Sequence, residues 1–454
     1  MSESLEIAER ALAAAAGDDA EAVVQTERSG LARFAGSEVH QPTLVENAAV
    51  QLRVVRGGRT GWAATNRLSD EGLAELARRA GEAASSAPVD PDFAGLAGPA
   101  PLPEVEGYDE ETAVLDAGEQ ARRARAAIEA VGGLDVYGFF TSAVTELAVA
   151  SATGLRADQR MTDATVLVLV AGEGESGYAE ATSWAAASID PAAVAEEAAA
   201  KAARTRGAEE LEPGRYRAVL EPYALAELMD YFAWDSFNGL GLLEERSYLT
   251  GRLGERVFDE RVSIADDPLD PRGLPKAFDF EGTPKRRIEL IEQGVARGVV
   301  WDRTTATRAG NGHATTGHAP QVPLRPYGPA PTALSVAPGQ AESLDELVEL
   351  AGDGVYVTRL HYLSVVNPRD GVITGMTRDG TFRIREGKLA EPLVNLRFTA
   401  SVPQLLADVP GLSRDVTLVN RSDFYGERYP YGVVCPAIAS ACLTITGNGS
   451  GPGI

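Results

Sequence analysis

The sequence predicts a mixed α/β protein in two domains, an α/β domain over residues 1–210 and a β-rich domain over residues 211–454. Three observations carry this. The chain has 454 residues, more than a single core of roughly 100 to 200 residues encloses. Its first half mixes alternating strand patterns with alanine-rich helical ones, and its second half is dominated by strand-turn-strand units. With 44% hydrophobic and 24% charged residues, the composition is globular rather than disordered or fibrous.

Residues 5–16 repeat alanine and leucine at helical spacing, and Gly17-Asp-Asp ends the run. Residues 21–27, 31–39 and 46–55 then alternate apolar with polar side chains. Ser29-Gly30 separates the first two and Gly57-Gly58 follows the third, so an antiparallel meander is expected. Ser69-Asp-Glu-Gly-Leu offers a serine or aspartate N-cap to a helix ending near residue 85, with Leu73, Leu76, Ala77 and Ala80 on one face. Pro88, Pro91, Pro99, Pro101 and Pro103 mark an extended connection. A helix over 110–131, strands over 134–170 and an alanine-rich helix over 191–205, suited to close packing on a sheet, complete the first half. Glu209-Glu-Leu-Glu-Pro-Gly214 gathers acids, proline and glycine where the domains divide. Beyond it come a strand over 216–220, a helix over 223–239, and hairpins turning at Gln293-Gly294 and at Glu386-Gly387, with a third expected within 432–446.

A formal charge of −24 repels phosphate backbones and anionic lipid, which argues against nucleic acid and membranes as partners. The opening Met1-Ser-Glu-Ser-Leu-Glu carries acids where a signal peptide needs lysine or arginine. The strongest apolar run, Thr165-Val-Leu-Val-Leu-Val-Ala171, has strand length, short of the ~18 residues of a membrane span. Cys435 and Cys442 are the only cysteines and form no CxxC pair, so neither a disulfide framework nor a four-cysteine zinc site is expected. A cytoplasmic location follows as the expectation.

Zinc hydrolases announce themselves with His-Glu motifs on a helix. The four histidines, His40, His313, His318 and His361, are not followed by glutamate. His313 and His318 share the glycine-rich segment Gly310-Asn-Gly-His-Ala-Thr-Thr-Gly-His-Ala319. It reads either as a substrate- or metal-binding loop or, in the favoured reading, as a turn whose histidines bond backbone carbonyls. No Gly-x-Ser-x-Gly elbow occurs in a strand-to-helix setting, and Gly447-Asn-Gly-Ser-Gly451 reads as a tail. Cys435, inside Val433-Val-Cys-Pro, reads as a buried structural thiol. Asp266, Asp267 and Asp270 sit among Pro268, Pro271 and Gly273, where aspartates cap turn amides. Residue chemistry alone therefore yields no catalytic set.

The order and spacing of several segments nevertheless resemble the TldD/PmbA family. They are Ser247-Tyr-Leu-Thr-Gly251, Phe278-Asp-Phe-Glu-Gly-Thr-Pro284, Thr315-Thr-Gly-His-Ala319, Gly354-Val-Tyr-Val-Thr358, Ile384-Arg-Glu-Gly-Lys388 and Gly432-Val-Val-Cys-Pro436, with Phe34-Ala-Gly-Ser-Glu-Val-His-Gln41 in the amino half. One branch of that family, TldD-like, carries a His-Glu, three residues, His zinc motif on a helix. At the matching place this chain has Asp230-Tyr-Phe-Ala-Trp-Asp235, so it resembles the PmbA/TldE-like branch. The resemblance implies a noncatalytic subunit that pairs with a TldD-like catalytic partner, or with itself in that partner's absence, and holds an unfolded peptide substrate, by strand addition for instance. It implies no cofactor in this chain and zinc in the partner. No catalytic residues and no metal ligands are expected; if any metal is held, His313, His318 and Cys435 are the candidate ligands. The candidates for substrate binding are His313, His318, Asp230 and Asp235. Two alternatives stay open, a self-sufficient divergent hydrolase and a peptide-binding scaffold without peptidase activity.

Overall fold

The structure, a computed structural model, describes residues 2–15, 19–422 and 428–449. Gly17, Asp18, Ser450 and Gly451, read from the sequence as parts of a helix stop and a tail, lie outside them.

The first half is a six-stranded antiparallel sheet in the order β3-β2-β1-β4-β5-β6. Its strands are β1 (Asp19–Ala35), β2 (Glu38–Arg56), β3 (Arg59–Thr65), β4 (Asp135–Ser151), β5 (Arg156–Gly172) and β6 (Glu175–Ser183). Helices α1 (Glu3–Ala14), α2 (Asp70–Ser86), α3 (Glu110–Ala113), α4 (Ala117–Glu129) and α5 (Pro191–Ala202) accompany it. The period-two alternation of a strand sorts β1 cleanly. Ala20, Ala22, Val24, Ala32 and Phe34 enter the apolar layer beneath the helices, while Glu21, Val23, Gln25 and Glu27 turn to the opposite face. On β5, Ala164, Val166, Val168 and Val170 join the helix layer, and Asp163 and Thr165 face away.

That opposite face is covered by the second half of the chain. Its sheet runs β10-β9-β8-β11-β17-β15-β13-β12-β7, with β14 beside β13 and β16 beside β17. The strands are β7 (Gly214–Leu220), β8 (Ile264–Asp266), β9 (Ile288–Glu292), β10 (Val295–Ala296), β11 (Ala333–Val336), β12 (Gly354–Asn367), β13 (Val372–Arg385), β14 (Lys388–Leu393), β15 (Leu396–Ser401), β16 (Gly411–Asn420) and β17 (Gly432–Asn448). Because β7 pairs with both β12 and β17, strands β7, β12, β13, β15 and β17 close into a ring, which removes two free edges. Helix α6 (Pro222–Ser236) contributes Leu225, Leu228, Met229 and Phe232 to the large core of this half.

The expected turns at Gly57-Gly58, Gln293-Gly294 and Glu386-Gly387 are present, every one of these residues having positive φ as two-residue hairpin turns require. Three expectations are corrected. Ser29-Gly30 is not a turn; β1 runs straight through it, and the reversal comes at Gly36 and Ser37, with φ of 57° and 62°. Gly30 instead makes room for Gln120, whose amide would lie 2.2 Å from a Cβ there. The helix expected over 110–131 is two helices, because Asp116 caps α4 by accepting from Glu119 N at 2.8 Å. The hairpin expected within 432–446 is one 17-residue strand. Pro436 lies inside it, and the register shift on β16 falls next to the pairing of Val416 with Pro436, so an irregular partner accommodates the missing N–H.

Candidate functional site

The face between the two halves is polar and buried. Arg428 pairs with Asp163, the two side chains being 4% and 1% exposed, and donates from Nη1 to Thr141 Oγ1 at 3.2 Å. Gln25 Nε2 donates to Arg428 O, and Asn420 Nδ2 donates to Thr165 Oγ1 at 2.7 Å. Glu21 on β1 approaches Arg325 (3.7 Å), which also reaches Glu281 at 3.4 Å.

Two cavities share Arg421 on their borders, one lined by residues of the second half and one by residues of both halves. The larger, about 700 Å³, is walled by Trp234, Phe280, Tyr429 and Tyr431 together with the prolines of the 320–331 segment; Lys285 and His318 lie on its floor. The smaller, about 300 Å³, draws Thr165 and Glu180 from the first sheet and Glu227, Arg359 and His361 from the second half. Helix α6 places Glu227, Asp230, Tyr231 and Trp234 at positions i, i+3, i+4 and i+7, which lie on one face. Asp230 accepts from Arg421 Nε at 3.1 Å; burial raises its carboxyl, with Arg421 opposing. Burial likewise pushes Glu227 up to about 7. Arg421 is kept charged against its own burial by Asp230 and Glu227. Asp235 points elsewhere, to Arg246 Nη1 at 3.0 Å, so the two aspartates do not form a pair.

The histidines also separate. His313 is exposed and packs against Trp301 at 5.0 Å between ring centroids. His318 is fully buried, with Nε2 2.7 Å from Asp266 Oδ2 and Nδ1 2.9 Å from Thr316 Oγ1. A carboxylate therefore does accompany one histidine, from 52 residues away, where sequence proximity showed none. Burial pushes His318 below its ordinary value, with the Lys285 charge adding to this. Burial acts to raise Asp266 too, but His318, Lys285 and the Ala333 amide outweigh it and hold the carboxyl near 2. Nε2 donates to the Asp266 carboxylate, and Nδ1 also lies 3.0 Å from Thr316 O. Asp266 also caps Ala333 N at 2.8 Å, the amide-capping role expected of it.

Cys435 is buried with its thiol 3.4 Å from Pro222 O, and burial raises its pKa far above the ordinary thiol value. Among the described residues no group of three or more His, Cys, Asp or Glu side chains is placed to hold a metal ion. His313, His318 and Cys435 thus do not assemble into the ligand set a zinc ion needs, both ring nitrogens of His318 being already engaged. Sequence reasoning missed Lys285, Arg421, Glu227, His361 and Tyr429. The Lys285-Arg-Arg run looks like a solvated cationic stretch, and nothing near Arg421 signals a cavity.

The model of the PmbA/TldA metallopeptidase domain 1 matches residues 20–84, and that of the PmbA/TldA metallopeptidase C-terminal domain matches residues 213–447. A metalloprotease of Methanothermobacter thermautotrophicus is 29% identical over 227 residues, covering 48% of this chain and 47% of that protein. A metalloprotease of Archaeoglobus fulgidus is 30% identical over 168 residues, covering 37% and 38%. The chain spans about half the length or less of these curated relatives. TldE from Thermococcus kodakarensis superimposes with a TM-score of 0.85 at 21% identity, over 97% of this chain and 99% of that one. A Thermotoga maritima protein described as a candidate modulator of a DNA gyrase gives 0.83 at 21%, again over 97% and 99%. At that identity these two show a shared fold. The C-terminal match alone spans more than half of the chain, and the chain belongs to the PmbA/TldD metallopeptidase family.

Proposed function

We propose that this chain is the noncatalytic subunit of a two-component zinc peptidase in the cytoplasm, holding unfolded or modified peptides while a TldD-like partner cuts them. The observation that carries this reading is the face of α6. Where the resemblance puts zinc ligands on a catalytic subunit, this helix presents Glu227, Asp230, Tyr231 and Trp234, and Asp230 is tied to Arg421. An aspartate engaged by an arginine, on one face with Glu227, Tyr231 and Trp234, makes a binding wall; it lacks the imidazoles that zinc prefers. The two cavities beside it supply aromatic surface and polar anchors, the composition of a ligand site.

The test is reconstitution. The purified chain and the TldD-like protein of the same cell are assayed separately and mixed, on an unstructured peptide, with metal content measured by mass spectrometry. The expected outcome is no cleavage and no retained zinc for this chain alone, co-elution of the two proteins, and cleavage by the mixture. About one tightly held zinc per chain, with cleavage by this chain alone, overturns the reading in favour of a self-sufficient hydrolase.

A further inference from the structure

The chain carries a charge of −24, yet among the described residues no aspartate or glutamate lines the 700 Å³ cavity, whose charged wall groups are Lys285 and Arg421. Lys285 is 4% exposed. Among the described residues its ammonium has neither a hydrogen-bond acceptor nor an ion pair. Burial lowers the Lys285 pKa while Asp266 and Asp279 support its charge, and both carboxylates are committed elsewhere. Asp266 serves His318 and Ala333 N; Asp279 accepts from Glu281 N, Thr283 N and Ala319 N, all within 2.9 Å. A buried ammonium with unspent donors is costly, and here it borders a cavity. In the same lining Thr332 Oγ1 is buried without a partner among the described residues. Arg421 engages Asp230 through Nε. Trp234, Phe280 and Tyr429 supply the apolar surface around these donors, the last two packed with ring centroids 4.8 Å apart.

We infer that this cavity is a receptor for a peptide carboxylate, with Lys285 Nζ as its principal donor and the aromatic walls taking the adjoining side chain. The inference rests on the peptide-holding reading and adds a chemical class to it. The carboxylate comes either from the peptide's C-terminus or from an aspartate or glutamate side chain; the cavity chemistry is the same for both.

The test uses the full-length purified chain and calorimetric titration with four unstructured heptapeptides of one parent sequence. These are a free acid with no acidic side chain, its C-terminal amide, the amide with a penultimate glutamate, and the amide with glutamine there. A charge-assisted hydrogen bond in a buried site predicts that the carboxylate-bearing ligand binds about ten- to a hundredfold more tightly than its neutral counterpart. Preference for the free acid over its amide identifies the C-terminal source; preference for glutamate over glutamine identifies the side-chain source. Lys285→Met is expected to abolish either preference while leaving the weaker apolar binding. Thr332→Val, whose smaller change keeps the fold intact should Lys285→Met fail to fold, is expected to reduce the preference severalfold. Equal binding of all four peptides to the unaltered chain overturns the carboxylate inference and leaves peptide holding in place. A preference undiminished in a folded Lys285→Met overturns the assignment to this cavity. Failure of every peptide to bind overturns both this inference and the reading beneath it.

Discussion

Replacing Glu21 by glutamine should make the protein less sensitive to alkaline pH, by an amount that follows from where Glu21 sits. It lies on the face of β1 that meets the second half, is fully buried, and among the described residues neither carboxylate oxygen has a hydrogen-bond partner. Arg325 approaches at 3.7 Å, but Arg325 and Arg53 also serve Glu281, at 3.4 and 3.7 Å. Burial is the largest influence on Glu21 and pushes it from 4.5 to about 7, the two arginines opposing and Glu281 and Asp279 adding to the rise. Since the folded value exceeds the unfolded one, the folded chain keeps a proton that the unfolded chain has released between pH 4.5 and 7. Stability therefore falls as pH rises through that window and levels off above it. At 1.36 kcal/mol per pH unit the loss between pH 5 and 8 is about 2 to 3 kcal/mol, an order-of-magnitude figure. His318, held low by burial, contributes with the opposite sign, so the informative quantity is the difference between the two proteins. Urea unfolding followed by circular dichroism at pH 5, 6, 7 and 8 should show Glu21→Gln gaining steadily on the parent chain across the series. A difference that stays flat, or shrinks as pH rises, would refute the argument that this carboxyl is buried without adequate compensation.

Three further outcomes are expected. Arg428→Met leaves Asp163 buried without its partner and should cost about 3 to 5 kcal/mol, with Asp163→Asn in the same chain recovering part of the loss; a change below about 1 kcal/mol in urea unfolding contradicts the pairing. Gly177→Ala would bring a Cβ within 2.1 Å of Ala198 O and 2.4 Å of Ala202 N, so α5 must lift from β6 at a cost of about 1 to 3 kcal/mol, read as a lowered Tm. A thiol reagent should titrate one cysteine rapidly in the native protein, the part-exposed Cys442, and two after denaturation, because Cys435 is buried with its thiol held protonated; rapid native modification of both would contradict this.

How far the fold was legible depended on whether its signals were local. Hairpins that turn on Gly57-Gly58, Gln293-Gly294 and Glu386-Gly387 declare themselves, because only residues tolerant of positive φ fit and the flanking alternation is short-range. The N-cap at Ser69, which accepts from Gly72 N at 3.2 Å, is equally local. The errors came where the same residue types serve a distant neighbour. Gly30 looks like a turn residue and is small because Gln120 passes over it. Residues 432–446 look like a hairpin and form one strand, β17, with Pro436 beside an irregular stretch of β16. In each case tertiary context outweighed local propensity.

The candidate site was less legible for a related reason, and His318 shows it most clearly. Beside His313 in sequence it suggested a shared loop site, yet the exposed His313 packs at a tilt against Trp301 while His318 turns inward to Asp266. A metal or catalytic reading needs convergent side chains, and convergence here is produced by strands far apart in sequence: β8 brings Asp266, and the segments around residues 279–285 and 421–431 bring Lys285, Arg421 and Tyr429. None of these residues belongs to a motif, because a cavity needs only side chains at the right depth, and any spacing along the chain can deliver them. A helical zinc motif imposes fixed intervals, which is why the missing His-Glu pattern could be read from the sequence around Asp230. What fills the same helix face instead, Glu227, Asp230 and Trp234 against Arg421, follows no rule of spacing beyond the helical repeat. It became visible only once β16 had carried the chain to Arg421 beside that face.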